Sequence, residues 1–207
     1  MLLFDILLGF HVAGGAVALL AGPLPMLARK GGRLHRRAGD VYAGAMIVTA
    51  ASALVLAAVT ANALLLMFAV FAFFLVFGGV RAIGFRRGRR PSRVDDAVVV
   101  LTAVFSLGLF ARGVWTADIT SLFFGLLGSL LALREWRRLR DPGTDWLVAH
   151  LTSMGAAYIA TATAFLAVNL AFLPQALVFV GPTLLGLPLL FRAASRHARP
   201  VAGKRLA

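Results

Sequence analysis

Four histidines carry most of the chemistry this chain could do, and three of them stand in telling surroundings. His11 falls about a third of the way along the first apolar segment, and His150 falls roughly one turn into a later one. His35 opens the basic run His35-Arg36-Arg37-Ala38-Gly39-Asp40-Val41-Tyr42. His197 lies in a basic C-terminal tail and reads as a solvated bystander. Imidazole is a proton carrier near neutral pH and the commonest metal ligand, so two chemistries are open. Haem b takes two axial imidazoles at matching depth on facing helices. His11 and His150 are the only such pair, with Tyr158 and Tyr42 completing the candidate cofactor-binding set. At 1.5 Å rise per residue the two rings come out about 10 Å apart along the membrane normal, which weighs against haem. The second chemistry is a zinc-type site built from His35, His150 and a carboxylate, Asp40 or Asp145, with water in the open position. None of these ligands forms a local pair in the sequence.

The elements that must position these residues are membrane spans. The chain is 60% hydrophobic and 14% charged, more apolar surface than a soluble domain of 207 residues can hide. Seven segments are long enough to cross a core of about 30 Å: 3–27, 41–60, 63–83, 96–114, 119–134, 146–170 and 175–191. The expectation is an all-α integral membrane bundle of seven transmembrane helices in one domain, ending in a basic tail at 192–207. The N-terminus carries Asp5 rather than a basic leader, so the first segment reads as a retained helix, and no separate soluble domain has room.

Charge sets the orientation. Every Lys and Arg except Arg112 falls in alternate gaps, after the first, third, fifth and seventh segments. Cytoplasmic loops collect basic residues, so the N-terminus is expected outside and the C-terminus in the cytoplasm, at the bacterial inner membrane. Trp115, Trp136 and Trp146 fall at segment ends, where amphipathic rings prefer the interface. The net charge of +13 is gathered in short clusters between apolar runs. That arrangement points to the anionic headgroups of a lipid bilayer as partner and to no nucleic acid. Homo-oligomerisation stays open, as does the identity of any small-molecule ligand.

Other chemistries are closed off. No cysteine is present, which removes thiolate metal sites and cysteine nucleophiles. All eight Asp and Glu residues lie near segment ends, which argues against a pump driven by buried carboxylates. Asp95 and Asp96 read as caps for the fourth segment. In the sixth, His150, Met154, Tyr158, Thr161 and Asn169 share one arc at the helical period. That face is either a lined cavity or a set of interhelical hydrogen bonds. In the first, His11, Gly15, Ala18 and Gly22 share a face toward the bundle, and Gly22-Pro23-Leu24-Pro25 breaks its end. No internal repeat is visible.

Two blocks carry a family likeness. The first reads His11-x3-Gly15, Gly22-Pro23, Lys30-Gly31 and His35-Arg36-x2-Gly39-x2-Tyr42. The second reads His150-x3-Met154-x3-Tyr158-Ile159-Ala160, then Thr163-Ala164-Phe165 and Asn169. Together they resemble an uncharacterised family of bacterial multi-pass membrane proteins defined by a domain of unknown function. The resemblance implies that His11, His35, Tyr42, His150 and Tyr158 match its motif positions, and it supplies no catalytic residue. A looser likeness to the seven-helix zinc hydrolases of the progestin and adipoQ receptor and ceramidase group is an analogy, because their histidine pair at i, i+4 is absent here. The leading expectation is metal or haem binding for redox or hydrolytic chemistry on a membrane-soluble substrate. The alternatives are a small-molecule or lipid transporter lined by the sixth segment, and a structural membrane subunit.

Overall fold

A computed structural model describes residues 2–140, 146–170 and 172–197. Its helices are α1 (Leu2–Ala21), α2 (Pro23–Leu27), α3 (Arg33–Val59), α4 (Ala63–Arg86), α5 (Arg93–Thr116), α6 (Ile119–Arg140), α7 (Trp146–Asn169) and α8 (Gln175–Ser195). The described residues contain no strand. α1 and α2 together make one interrupted span, so seven helical stretches are long and apolar enough to cross a membrane. Large side chains such as Leu3, Leu20, Leu27, Leu101 and Leu185 point outward, as a surface solvated by lipid tails demands. The interior is instead rich in small residues, among them Ala18, Ala50, Ala57, Ala132 and Ala157. Lipid supplies no hydrophobic drive between helices, so close approach through small side chains decides the packing.

Several helices run further than their apolar cores. α3 begins at Arg33, eight residues before the expected start at 41, behind a turn that Gly31 makes at φ +73. Nothing from Arg33 to Asp40 breaks a helix, and Arg, Leu and Ala are good helix formers. α4 and α6 likewise extend to Arg86 and Arg140, where basic side chains complement the dipole. The basic clusters therefore sit largely on helix ends at one pole of the bundle, the basic end. Of the tail, Arg199, Lys204 and Arg205 lie outside the described residues.

Four helices close into a ring. α1 packs on α3, α3 on α4, α4 on α7, and α7 returns to α1. α3 and α7 thus stand diagonally across the ring, without direct backbone approach. α8 packs on α7, and α5 with α6 forms a hairpin that meets the ring along α4. That hairpin is tight because a Cβ at Gly125 would lie 2.4 Å from the backbone nitrogen of Phe110. At its root Asp95, 1% exposed, takes an ion pair from Arg81 of α4 and forms the α5 capping box with Ser92. Asp96 pairs with Arg140 at 3.2 Å. At the opposite pole Arg112 reaches Asp118 at 3.0 Å and Ser121 at 2.7 Å.

Candidate functional site

Across the ring, α3 and α7 meet through three rungs of side chains. At the basic end the rings of His35 and His150 are 6.4 Å apart, at 70° to one another. Deeper in, Tyr42 and Tyr158 lie 6.2 Å apart. Below them the Thr161 hydroxyl sits 3.2 Å from the Met46 sulfur. On α3 the positions 35, 42 and 46 are i, i+7 and i+11, and on α7 the positions 150, 158 and 161 are i, i+8 and i+11. Both sets keep to one helix face. His35 belongs to the ladder only because α3 starts at Arg33; a loop there would not hold it in register.

Both imidazoles are fixed by backbone carbonyls. His150 Nδ1 lies 2.9 Å from the Gly79 oxygen of α4, and His35 Nδ1 lies 2.9 Å from the Pro25 oxygen of α2. A carbonyl only accepts, so each Nδ1 carries a proton, and in the neutral ring the lone pair is then on Nε2. No described residue bonds either Nε2. Gly79 leaves room for Met154, since a Cβ there would fall 2.5 Å from the Met154 sulfur and push that flexible side chain aside. Met154, one turn beyond His150, therefore lays its thioether on the residue that holds the imidazole.

The break at Pro23 and Pro25 builds the opposite wall. Pro23 has no N–H, so the Leu19 carbonyl loses its helical donor, and the Tyr158 hydroxyl donates to it at 3.3 Å. Gly22 lets the ring approach, for a Cβ would lie 2.4 Å from its Cδ2. α2 ends at Leu27 and leaves its last carbonyls free. Lys30 Nζ donates to Pro25 at 3.0 Å and to Met26 at 2.5 Å. Partial burial holds that ammonium below the ordinary lysine pKa. The Tyr42 hydroxyl, in a residue 2% exposed, makes no well-formed hydrogen bond among the described residues, with the Thr161 hydroxyl as a weak partner.

The remaining sequence candidates go elsewhere. His11 Nδ1 donates to the Thr49 carbonyl at 3.1 Å. Thr49 lies fourteen residues along α3 from His35, or roughly 20 Å at helical rise. His11 and His150 are therefore not brought together, and the close-approach glycine of α1 is Gly14, whose Cβ would meet Thr49 Oγ1 at 2.6 Å. Gly15 sits beside it with room for a Cβ, 3.9 Å from Thr49 Cγ2. Asp40 is exposed on α3, and Asp145 lies outside the described residues. Among the described residues no three His, Asp or Glu side chains gather as a metal cage. Asn169 and His197 are exposed and bond backbone carbonyls of their own helices or helix ends. No family model, characterised protein or solved structure matches this chain, so the reading of its function rests on this geometry.

Proposed function

We propose that this chain is a multi-pass protein of the bacterial cytoplasmic membrane that binds a soft, monovalent metal ion, copper(I), through Nε2 of His35 and Nε2 of His150. The N-terminus faces outward, and the pair lies near the cytoplasmic surface, as the one-sided basic clusters support. The observation that carries the reading is the meeting of two imidazoles, 115 residues apart in sequence, each with Nδ1 committed to a carbonyl. That second-shell contact is what orients histidine ligands in metal sites. A metal held linearly by two imidazole nitrogens at about 2 Å sets the ring centres about 6 Å apart, close to the 6.4 Å found.

Charge chooses between ions. The described residues bring no carboxylate into the group, while Lys30 adds a positive charge beside Pro25. A divalent ion with no anionic ligand is disfavoured there by Coulomb repulsion. Copper(I) accepts two neutral nitrogens, and the nearby Met154 thioether suits its softness. An ion of this kind passes one electron, which keeps redox chemistry on a membrane-soluble partner within the reading. Haem between His11 and His150 receives no support from their separation.

Full-length protein in mild detergent, titrated anaerobically with copper(I) against a competing chelator, tests the reading. One ion per chain is expected, with binding lost in His35→Ala and His150→Ala and kept in His11→Ala and His197→Ala. Equal binding by all four variants, or none by the wild type, would overturn it. A second reading, a small polar ligand or transported molecule at the ring centre, is favoured by the buried Tyr42 hydroxyl, which makes no well-formed hydrogen bond among the described residues. It predicts binding that fails in Tyr42→Phe and ignores copper.

A further inference from the structure

A second polar locus lies outside the ring, on the flank where α6 passes α7. The two helices make no close backbone approach among the described residues, and α4 floors the gap between them. The result is a small open crevice, with a cavity volume of about 30 Å³, lined by Phe74 and Leu75 of α4, Leu131, Arg134, Glu135 and Arg138 of α6, and Ala149, Thr152 and Ser153 of α7. Its charges do not balance. Glu135 is spent on Arg138, whose guanidinium also lies 5.2 Å from the centre of the Phe85 ring. Arg134 has no acid partner among the described residues, and its exposed side chain reaches the Thr152 hydroxyl at 3.3 Å. The Ser153 hydroxyl has no hydrogen-bond partner among the described residues.

Depth identifies what can answer that charge. Arg134 lies six residues before the end of α6 and Thr152 six residues after the start of α7, both about 9 Å from the basic end at helical rise. Trp136 and Trp146 mark the interface between this level and the helix ends, Trp136 four residues from the end of α6 and Trp146 at the start of α7. A guanidinium at this position lies under the headgroup layer, able to extend its head toward phosphate while its stem stays in apolar surroundings. Phe74, Leu75, Leu131 and Ala149 supply an apolar wall beside it.

We infer that this crevice is a binding site for an anionic phospholipid. The headgroup phosphate takes charge-assisted hydrogen bonds from Arg134 and hydrogen bonds from Ser153, and an acyl chain follows the apolar wall between α6 and α7. Arginine is suited to this role because its planar fork meets two phosphate oxygens at once. Basic pockets between transmembrane helices are a recurrent headgroup site. The inference does not depend on the imidazole pair, which lies on the other side of α7.

Native mass spectrometry of the full-length protein, with phosphatidylglycerol and phosphatidylcholine in equal amounts, tests it. Wild type should retain phosphatidylglycerol preferentially, one molecule per chain. Arg134→Gln should weaken that retention about tenfold, the loss of one charge-assisted contact. Arg137→Gln, an equal change of charge on an exposed neighbour, should leave it intact. If Arg134→Gln fails to fold, Thr152→Val with Ser153→Ala carries the same expectation, with a smaller loss. Equal losses in Arg134→Gln and Arg137→Gln would reduce the effect to a general basic belt and overturn the site. Displacement by inorganic phosphate with no lipid preference would overturn the lipid as occupant.

Discussion

Replacing Gly125 with alanine should open the α5–α6 hairpin. The new Cβ would lie 2.4 Å from the Phe110 nitrogen, 2.6 Å from its Cα and 2.8 Å from its Cβ. Ordinary contact begins about 1 Å further out, and a backbone neighbour cannot rotate away. The two helices must separate, or one must slide. Overpacking of this kind costs about 1–3 kcal/mol, and a backbone obstacle places it at the upper end. Alanine returns about 1 kcal/mol in helix propensity, so the net loss is about 2 kcal/mol. Gly108→Ala is the control, because it lies in α5 and its Cβ would meet nothing within 4 Å. It should gain up to about 1 kcal/mol. The two substitutions, chemically identical, should thus differ by about 3 kcal/mol, roughly a hundredfold in the folding equilibrium. Reversible unfolding in mixed detergent micelles, followed by tryptophan fluorescence, measures both. A Gly125→Ala variant as stable as Gly108→Ala would refute the close helix contact.

Three further outcomes are expected. Asp95→Asn keeps a capping side chain but strands Arg81, and breaking a buried pair costs about 3–5 kcal/mol, whereas Asp96→Asn, in a half-exposed pair with Arg140, should cost under about 1 kcal/mol; similar losses in the two unfolding curves would sink the distinction. Tyr42→Phe removes a buried hydroxyl that makes no well-formed hydrogen bond among the described residues and has only the Thr161 hydroxyl as a weak partner, so it should be neutral or stabilising by about 1–3 kcal/mol, and a clear loss of stability would mean that the hydroxyl is held by Thr161, a water or a ligand. Asp118 has its carboxyl pulled below the usual carboxylate range by the Ser121 hydroxyl first, with Arg112 and the Thr120 amide adding to it. Its folded pKa is below its unfolded one, so its contribution is present above the unfolded value and fades as pH falls through the folded value; melting curves of Asp118→Asn should show a flatter acid limb than wild type, and parallel limbs would contradict the assignment.

The spans were legible because apolar length and alternating charge are both local signals. Gly22, Pro23 and Pro25 likewise announced a break, and His150, Tyr158 and Thr161 announced a shared face. What the sequence could not disclose was the partner of that face. His35 sits among arginines, and a basic run beside a membrane span reads as loop when apolar residues alone define the helix. Its spacing to Tyr42 and Met46 held the signal, but a polar first turn hid it. His11 misled for the opposite reason. It sits in an apolar segment and looks like half of an axial pair, yet depth depends on which helix it packs against, and Gly14 sends it to Thr49. Glu135 and Arg138 gave no warning of burial, because an i, i+3 ion pair looks the same on a wet surface.

The break in the first span and the imidazole pair are one construction. A continuous helix through residue 23 would satisfy Leu19 with its own N–H and leave the Tyr158 hydroxyl without that acceptor. Pro23 removes the N–H and hands the carbonyl to α7. Pro25 lies two residues further on in α2, so its carbonyl falls among the free ones at the helix end, where His35 and Lys30 compete for it. That carbonyl does more than satisfy a donor: it commits Nδ1 of His35 as the protonated nitrogen and turns the lone pair of Nε2 outward from α2. Gly79 does the same for His150 from the other side of the ring. Two backbone oxygens on two helices thus set the same tautomer on two rings, which simple interhelical packing would not require. Packing alone would be served as well by phenylalanine at both positions. That shared tautomer, with neither Nε2 bonded by a described residue, is what supports the proposal of a ligand set.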